Sequence, residues 1–438
     1  MIKNSTLTYR AIVLIILLTI SLIAAIVDNI YVISNIHFYV YLLLIILSIA
    51  FNKEVGVDIV WIVGFIYVIM SEMLFLPSKS SIYLEVVKYI IIGNNLILAA
   101  YYCSKEQTHF SIKHYYIPNG NWMLFLLLIF TILYFFIAYP HAVVAMERGR
   151  YYARHAHVGG RFGQFVEDFQ YVLPALWAFC FRNKKLGWLW SLLLSSPVFI
   201  CIYMTGTRFP LIFAFLGWVM SLGVINLYQL NRKSFLYALL FLLILIPVTN
   251  RMKEGRVFGY ENASENVFGS SQASRSFSQK VASYGSDEGV VNANSWLFDY
   301  CNTNGYTYGK QSAFVFYWWF PRAYWSNKPE MTGRWLPHEY GNYRESHSSS
   351  IGIWGELYVD YGYYSFIFIF LWGLLLRQVN SYCKFLQKNY SDIHVILPPL
   401  LISTAFFAVR SPITSIISLC TSLVIYLLFR YLACKITL

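Results

Sequence analysis

The stretch GELYVDYG at 355–362 carries two carboxylates four residues apart, Glu356 and Asp360. On a helix that spacing puts both on one face. They fall a turn or two inside an apolar run, where an unpaired acid is costly and therefore usually functional. Glu356, Asp360 or His347, which lies just before the run, has the chemistry of a general base taking a proton from a hydroxyl. The plainer alternative is a salt-bridge cluster with Arg344 and Glu345 that fixes the end of the helix. Tyr358, between the two acids, is a candidate substrate contact.

A second group of residues suits an anion. The loop MERGRYYARHAHVGGRFGQF at 146–165 holds Arg148, Arg150, Arg154 and Arg161 against one acid, Glu147. It reads as a clamp for a phosphate-bearing ligand or as a solvated loop touching anionic headgroups. His155 and His157 have no acid or cysteine cluster to complete a metal site, so no metal is expected. Arg208 in TGTRFP and Arg410 in FFAVRSPITS each sit between two apolar spans. There they either snorkel or line one shared pocket. The stretch WWFPRAYWSNKPE at 318–330 sets Arg322 and Lys328 among Trp318, Trp319, Tyr324 and Trp325. The cations suit phosphate, and flat rings with polar tips such as Trp325 suit a sugar or a headgroup; an interfacial aromatic belt is the competing account of the rings. The flanking prolines stiffen the segment. Glu72 is a weaker candidate, and Glu85 and Lys88, three apart, are expected to neutralise each other.

What must position these residues is a membrane. The chain of 438 residues is 58% hydrophobic and 12% charged, with a mean hydropathy of +0.53. A soluble domain carries about a quarter charged residues. A spanning helix takes about 20 apolar residues, and apolar runs near 11–27, 30–51, 57–76, 81–103, 121–140, 165–181, 187–204, 210–229, 234–249, 351–376, 393–409 and 412–432 predict about twelve spans. The expected fold is an all-α integral membrane protein with both termini inside. That orientation gives the inner loops about twice the Lys and Arg of the short outer ones. Residues 1–250 then hold nine spans and an Arg-rich outer loop at 141–164, residues 251–350 form one large outer loop before the tenth span, and 351–438 hold three more spans. The first apolar run lacks a clear cleavage site and reads as a retained helix. Positive charge is scattered between the spans, which argues against nucleic acid. Seven cysteines without a CxxC pair signal neither zinc nor a disulfide framework. Arginine dominates the short outer loops although the charge rule disfavours cations there, and its planar fork matches phosphate.

TGTR at 205–208, FPRAYWSNKP at 320–329, GELYVDYG at 355–362 and Arg410 after the penultimate span resemble, in order and setting, the Wzy-type O-antigen and capsule repeat-unit polymerases. These are integral membrane glycosyltransferases of the GT-C-like kind. The architecture is also similar to that of O-antigen ligases. The resemblance covers most of the chain. It implies a bacterial inner-membrane enzyme working on the outer face, with undecaprenyl-pyrophosphate-linked oligosaccharide as both donor and acceptor. It implies no nucleotide sugar, cofactor or metal, and a polysaccharide chain-length regulator as a further partner beside the lipid bilayer. By motif match Arg208, Arg322 and Arg410 are the expected functional arginines and Glu356 the functional acid. Arg148, Arg150, Arg154 and Arg161 rest on charge and position alone. The alternatives are a ligase that moves the glycan to lipid A core, and a transporter of lipid-linked oligosaccharide.

Overall fold

The computed structural model describes residues 2–52, 54–75, 80–107, 110, 115–117, 120–149, 160–224, 228, 248, 252, 289–320, 324–339, 349–388 and 393–436. In chain order the helices begin with α1 Ile2–Ile26, α2 Ile30–Asn52, α3 Val57–Phe65, a π turn at Ile66–Met70, α4 Ser71–Phe75 and α5 Ser81–Cys103. Next come α6 Gly120–Arg148, α7 Gly160–Glu167, a 3-10 turn at Asp168–Tyr171, α8 Leu173–Phe181, α9 Gly187–Met204 and α10 Arg208–Ser221. The remainder are α11 Val290–Asn304, α12 Phe314–Tyr317, α13 Thr332–Glu339, α14 Gly352–Tyr361, α15 Ser365–Lys388, α16 Leu397–Ala408 and α17 Pro412–Ala433. Two-residue strands, Tyr115–Tyr116 and Lys435–Ile436, pair antiparallel.

The fold is all-α, and among the described residues eight helical segments are long and apolar enough to cross a membrane. Helices suit that solvent because every backbone group is satisfied within the segment. Their outward faces are apolar: Ile15, Leu18 and Leu22 on α1, and Ile367, Leu371 and Leu375 on α15, are exposed. Expected spans differ from the structure in four places. The run 165–181 is broken by the 3-10 turn into the short helices α7 and α8, the run 210–229 is helical over Arg208–Ser221, and the run 393–409 divides into a 3-10 turn at Ile393–Ile396 and α16. The run 234–249 lies outside the described residues except position 248.

The fourth difference matters most. The apolar segment Gly352–Gln387 is not one straight span. The Tyr89 hydroxyl donates to the Trp354 carbonyl at 3.1 Å and lies 2.7 Å from the Ser365 hydroxyl. Eleven positions of straight helix would hold those residues about 16 Å apart, so the chain reverses between them. Gly362 makes the reversal at φ +56°, with the Tyr306 ring packed where a side chain would start. Thus α14 and α15 form a hairpin. The first turn of α14 reaches into the bundle, where Trp354 packs on Phe65 and Trp61 of α3 and on Gly93 of α5.

The chain forms two compact units, each built from separated segments. The first comprises 1–107, 276–381 and 405–417, and the second 108–275, 382–404 and 418–438. Each unit takes helices from an early, a middle or late, and a C-terminal stretch of the chain.

In the first unit, α5 packs on α1 and on α11, and α11 packs on α14. Polar side chains wire the helices together. Buried Asp58 accepts from Ser48 at 3.1 Å, Tyr101 at 3.2 Å and Tyr102 at 2.6 Å. Deeper in the bundle, Tyr41 donates to Asn95 at 2.7 Å and the Trp61 indole to Asn94 at 2.9 Å. Such bonds hold helices together where lipid supplies no hydrophobic drive between them. Glu85 and Lys88 do not neutralise each other. Lys88 binds Asp28 at 2.5 Å and the Ala25 carbonyl at 3.3 Å, and Glu85 accepts from Tyr363 at 2.6 Å. The carbonyl end of α1 draws the lysine away, as a helix C-terminus favours a cation.

The second unit packs α6 against α7, α8 and α9, and α8 against α9 and α10. Its core includes Leu127, Phe169, Leu176, Trp177, Ile425 and Phe429.

Candidate functional site

Glu356 and Asp360 share α14, as their spacing predicts, and both are buried. Their surroundings divide them. Asp360 accepts from the Thr307 hydroxyl, from the Gln311 amide at 3.1 Å and from the Ser312 amide at 2.6 Å. Three donors fill most of the capacity of a carboxylate. Its geometry is therefore that of an anchor for the loop 305–313, and leaves little capacity for a general base. Glu356 is held by one neutral donor, the Thr332 hydroxyl at 2.6 Å on Oε2. Thr332 is fully buried and opens α13.

The turn entering α14 is fixed from three sides. The Gly352 amide donates to the Arg410 carbonyl at 2.9 Å, and Arg410 Nε donates to the Ser350 hydroxyl at 2.8 Å. Gly352 has φ +71°, and a Cβ there would stand 3.0 Å from the Val409 carbonyl oxygen, so only glycine fits without strain. From α11, the Asn294 amide donates to the Ile351 carbonyl at 2.7 Å. From α13, the Gly333 carbonyl accepts from the Ser349 amide at 2.8 Å. Glu356 thus lies one helical turn past a corner that Arg410, Asn294 and Gly333 hold in place.

Behind this corner, Glu72 is buried directly after the π turn and accepts from the amides of Val291 and Asn292 at 2.9 and 3.0 Å. A carboxylate on the first amides of a helix acts as its cap, favoured by the macrodipole. Glu72 therefore tethers α11, the helix that carries Asn294. Burial, with the Asp360 charge adding to it, pushes the Cys301 thiol of α11 up to about 12.

The aromatic segment is less open than its composition implies. Lys328 is buried and donates to the carbonyls of Trp318 at 2.6 Å and Phe320 at 3.0 Å, with its ammonium 5.2 Å from the Phe314 ring centre. It closes the segment on itself, so its charge is directed to backbone oxygens rather than presented as the expected phosphate contact. Trp325 is 38% exposed and packs on Tyr317. Tyr358 offers no face to a ligand. It is buried and stacked on Phe298 at 3.6 Å between ring centres, with Tyr89 at its edge.

Arg208 opens α10 in the second unit and is buried. It follows the tight turn of TGTR, in which Gly206 has φ +66° and the Thr205 and Thr207 hydroxyls meet at 2.8 Å. A cation at a helix N-terminus sits at the electrostatically unfavourable end. Arg148 ends α6 and is exposed. Arg161 lies in α7, and its side chain is outside the described structure, as are Arg150, Arg154, Arg322 and His347 altogether. Thr332, Asn294 and Ser350 escape sequence reading, because a lone hydroxyl or amide in a polar loop carries no pattern.

No known protein family, curated protein or solved structure matches the chain.

Proposed function

We propose that the protein is a membrane glycosyltransferase that polymerises lipid-linked oligosaccharide repeat units, with Glu356 as the general base and Arg410 among the arginines at the leaving group. One observation carries this reading. The arginine after the penultimate span, one of the motifs that resemble the polymerases, is hydrogen-bonded to Ser350 and Gly352, 60 and 58 positions away, which lead into the helix where a second, GELYVDYG, begins.

Glu356 takes the proton from a hydroxyl of the incoming repeat unit. The hydroxyl oxygen bonds to the anomeric carbon of the growing glycan, and the bond from that carbon to the lipid pyrophosphate breaks. The leaving group departs with at least about two negative charges, and guanidinium groups placed where that charge develops lower the barrier. Hydrogen bonds to charged groups contribute about 1.5–3 kcal/mol each, so several arginines are needed; Arg322 is the further candidate by motif. A positioned base adds about 10²–10⁴ in rate. The donor and acceptor are undecaprenyl-pyrophosphate-linked, and the compartment is the outer face of a bacterial inner membrane. A chain-length regulator is the expected protein partner.

The test uses the purified full-length protein with a lipid-linked repeat unit and no added nucleotide sugar. A glycan ladder is expected from the native chain. Glu356→Gln abolishes it while the protein still elutes as a folded species, and Arg410→Lys, which keeps charge but loses the planar fork, rescues poorly. A full ladder from Glu356→Gln refutes the base assignment. Transfer only when a lipid A core acceptor is supplied makes the protein a ligase.

A further inference from the structure

The segment between α11 and α13, which meets the tip of the α14–α15 hairpin at Gly309, leaves a set of aromatic rings exposed. Tyr308 is 83% exposed, Phe316 79%, Trp319 61% and Tyr324 82%. Burying one such ring is worth about 1.5–3 kcal/mol, so four of them left in water would be a large forgone stabilisation. The Trp319 indole N–H donates to the Phe316 carbonyl at 2.8 Å, so its polar tip is satisfied within the segment. Tyr308 also holds φ at +50°, a left-handed conformation that is costly for an aromatic residue. Asp360 maintains it by gripping the chain on both sides, at Thr307 and at Gln311 and Ser312.

This set continues a lipid-facing surface. Gly309 lies against the Tyr361 hydroxyl, which a Cβ at that position would approach to 3.1 Å. Tyr361 stacks on Phe368 at 4.4 Å, and Phe368 belongs to the exposed apolar face of α15 with Leu371. The Lys310 side chain is exposed beside Tyr308, and its carbonyl is held by the Tyr317 hydroxyl at 2.5 Å. A lysine among outward rings at the end of a membrane helix matches the headgroup layer, where rings sit at the boundary and the ammonium reaches phosphate.

We infer that Tyr308, Phe316, Trp319 and Tyr324 form an aromatic ledge embedded in the headgroup layer of the leaflet at the hairpin tip, with Lys310 against lipid phosphate. The ledge then fixes how deep the hairpin, and with it α14, sits in the bilayer. The inference rests on the membrane fold alone and stands whether or not the protein transfers sugars.

The test places an environment-sensitive fluorescent amino acid at position 308, 316 or 371 of the full chain, reconstituted in phosphatidylcholine–phosphatidylglycerol vesicles. Three quenchers are compared: a lipid nitroxide near the headgroup, a lipid nitroxide near the chain end, and aqueous iodide. Positions 308 and 316 are expected to be quenched at least about threefold more by the headgroup-proximal nitroxide than by iodide. Position 371, on the lipid face of α15, should respond best to a nitroxide on the chain, which verifies insertion. Strong iodide quenching at both ledge positions overturns the inference. Protection from all three quenchers also overturns it, since the ledge would then be covered by protein. Position 316 keeps the test decisive if a substitution at the left-handed Tyr308 disturbs the loop.

Discussion

Replacing Asp360 by asparagine separates anchoring from catalysis. The carboxylate receives three hydrogen bonds from the loop, two from backbone amides and one from the Thr307 hydroxyl. An asparagine offers one acceptor oxygen and turns an amide donor toward the other donors. At least one charge-assisted bond is lost, at about 1.5–3 kcal/mol, and the rest fall to the neutral range of about 0.5–1.5 kcal/mol. A local opening cost lower by about 3 kcal/mol results, which is about a 150-fold larger open population at 1.4 kcal/mol per decade. Lys310 sits inside the anchored loop, so limited trypsinolysis reads that population where reclosing outpaces cleavage. The Lys310–Gln311 bond, followed by mass spectrometry, should be cut about two orders of magnitude faster in Asp360→Asn than in the native chain. Glu356→Gln, with its single hydroxyl partner on α13, should leave that rate near native. An unchanged cleavage rate in Asp360→Asn, accompanied by complete loss of turnover, refutes the anchor and returns Asp360 to the chemistry.

The same contacts have other consequences. Gly355→Ala brings a Cβ well inside contact distance of Asn294 Oδ1 and an Ile351 methyl; it should cost about 1–3 kcal/mol, seen as earlier thermal unfolding. In an Asn294→Ala background that cost should shrink, and strict additivity of the two changes would contradict the contact. Glu72→Gln leaves one acceptor for two amides, so hydrogen exchange at Val291 and Asn292 should speed up about fivefold for a loss of about 1 kcal/mol. Cys301, its thiol pushed up to about 12, stays protonated in the folded chain at neutral and mildly alkaline pH. It should resist alkylation there until denaturant is added; rapid labelling of the native chain would show α11 to be looser than its packing implies.

Parts of this arrangement are legible in the sequence and parts are not. The i, i+4 spacing of Glu356 and Asp360 points to their shared helix, and the apolar runs mark most of the membrane-spanning segments. The hairpin is hidden because mean hydropathy runs unbroken through Gly362, although a glycine directly after a helix often marks its end. The fate of Lys328 is open in the sequence because a backbone carbonyl and a phosphate are both oxygen acceptors, and only the chain path decides which is near. The partner of Lys88 is hidden because helix spacing reports neighbours on one helix, whereas Asp28 lies beside α5 only after α1 has packed there. The contact of Arg410 with Ser350 is long-range in the same way. Thr332 and Asn294 carry no periodic or compositional mark at all.

The π turn at Ile66–Met70 bears on how this gene can vary. A π turn accommodates one more residue than an α-helix over the same path, and each residue of α-helix rotates the downstream chain by about 100°. Removing one residue from that turn would close it to plain α-helix and leave Glu72 on the first amides of α11, whereas a deletion in the α-helical stretch of α3 would swing it away by about 100°. Conservative exchanges at Tyr67, which is 41% exposed, leave the register untouched. The register that matters is therefore the one set by the flanking α-helix, so a single-residue deletion should be far more damaging in α3 than within the π turn.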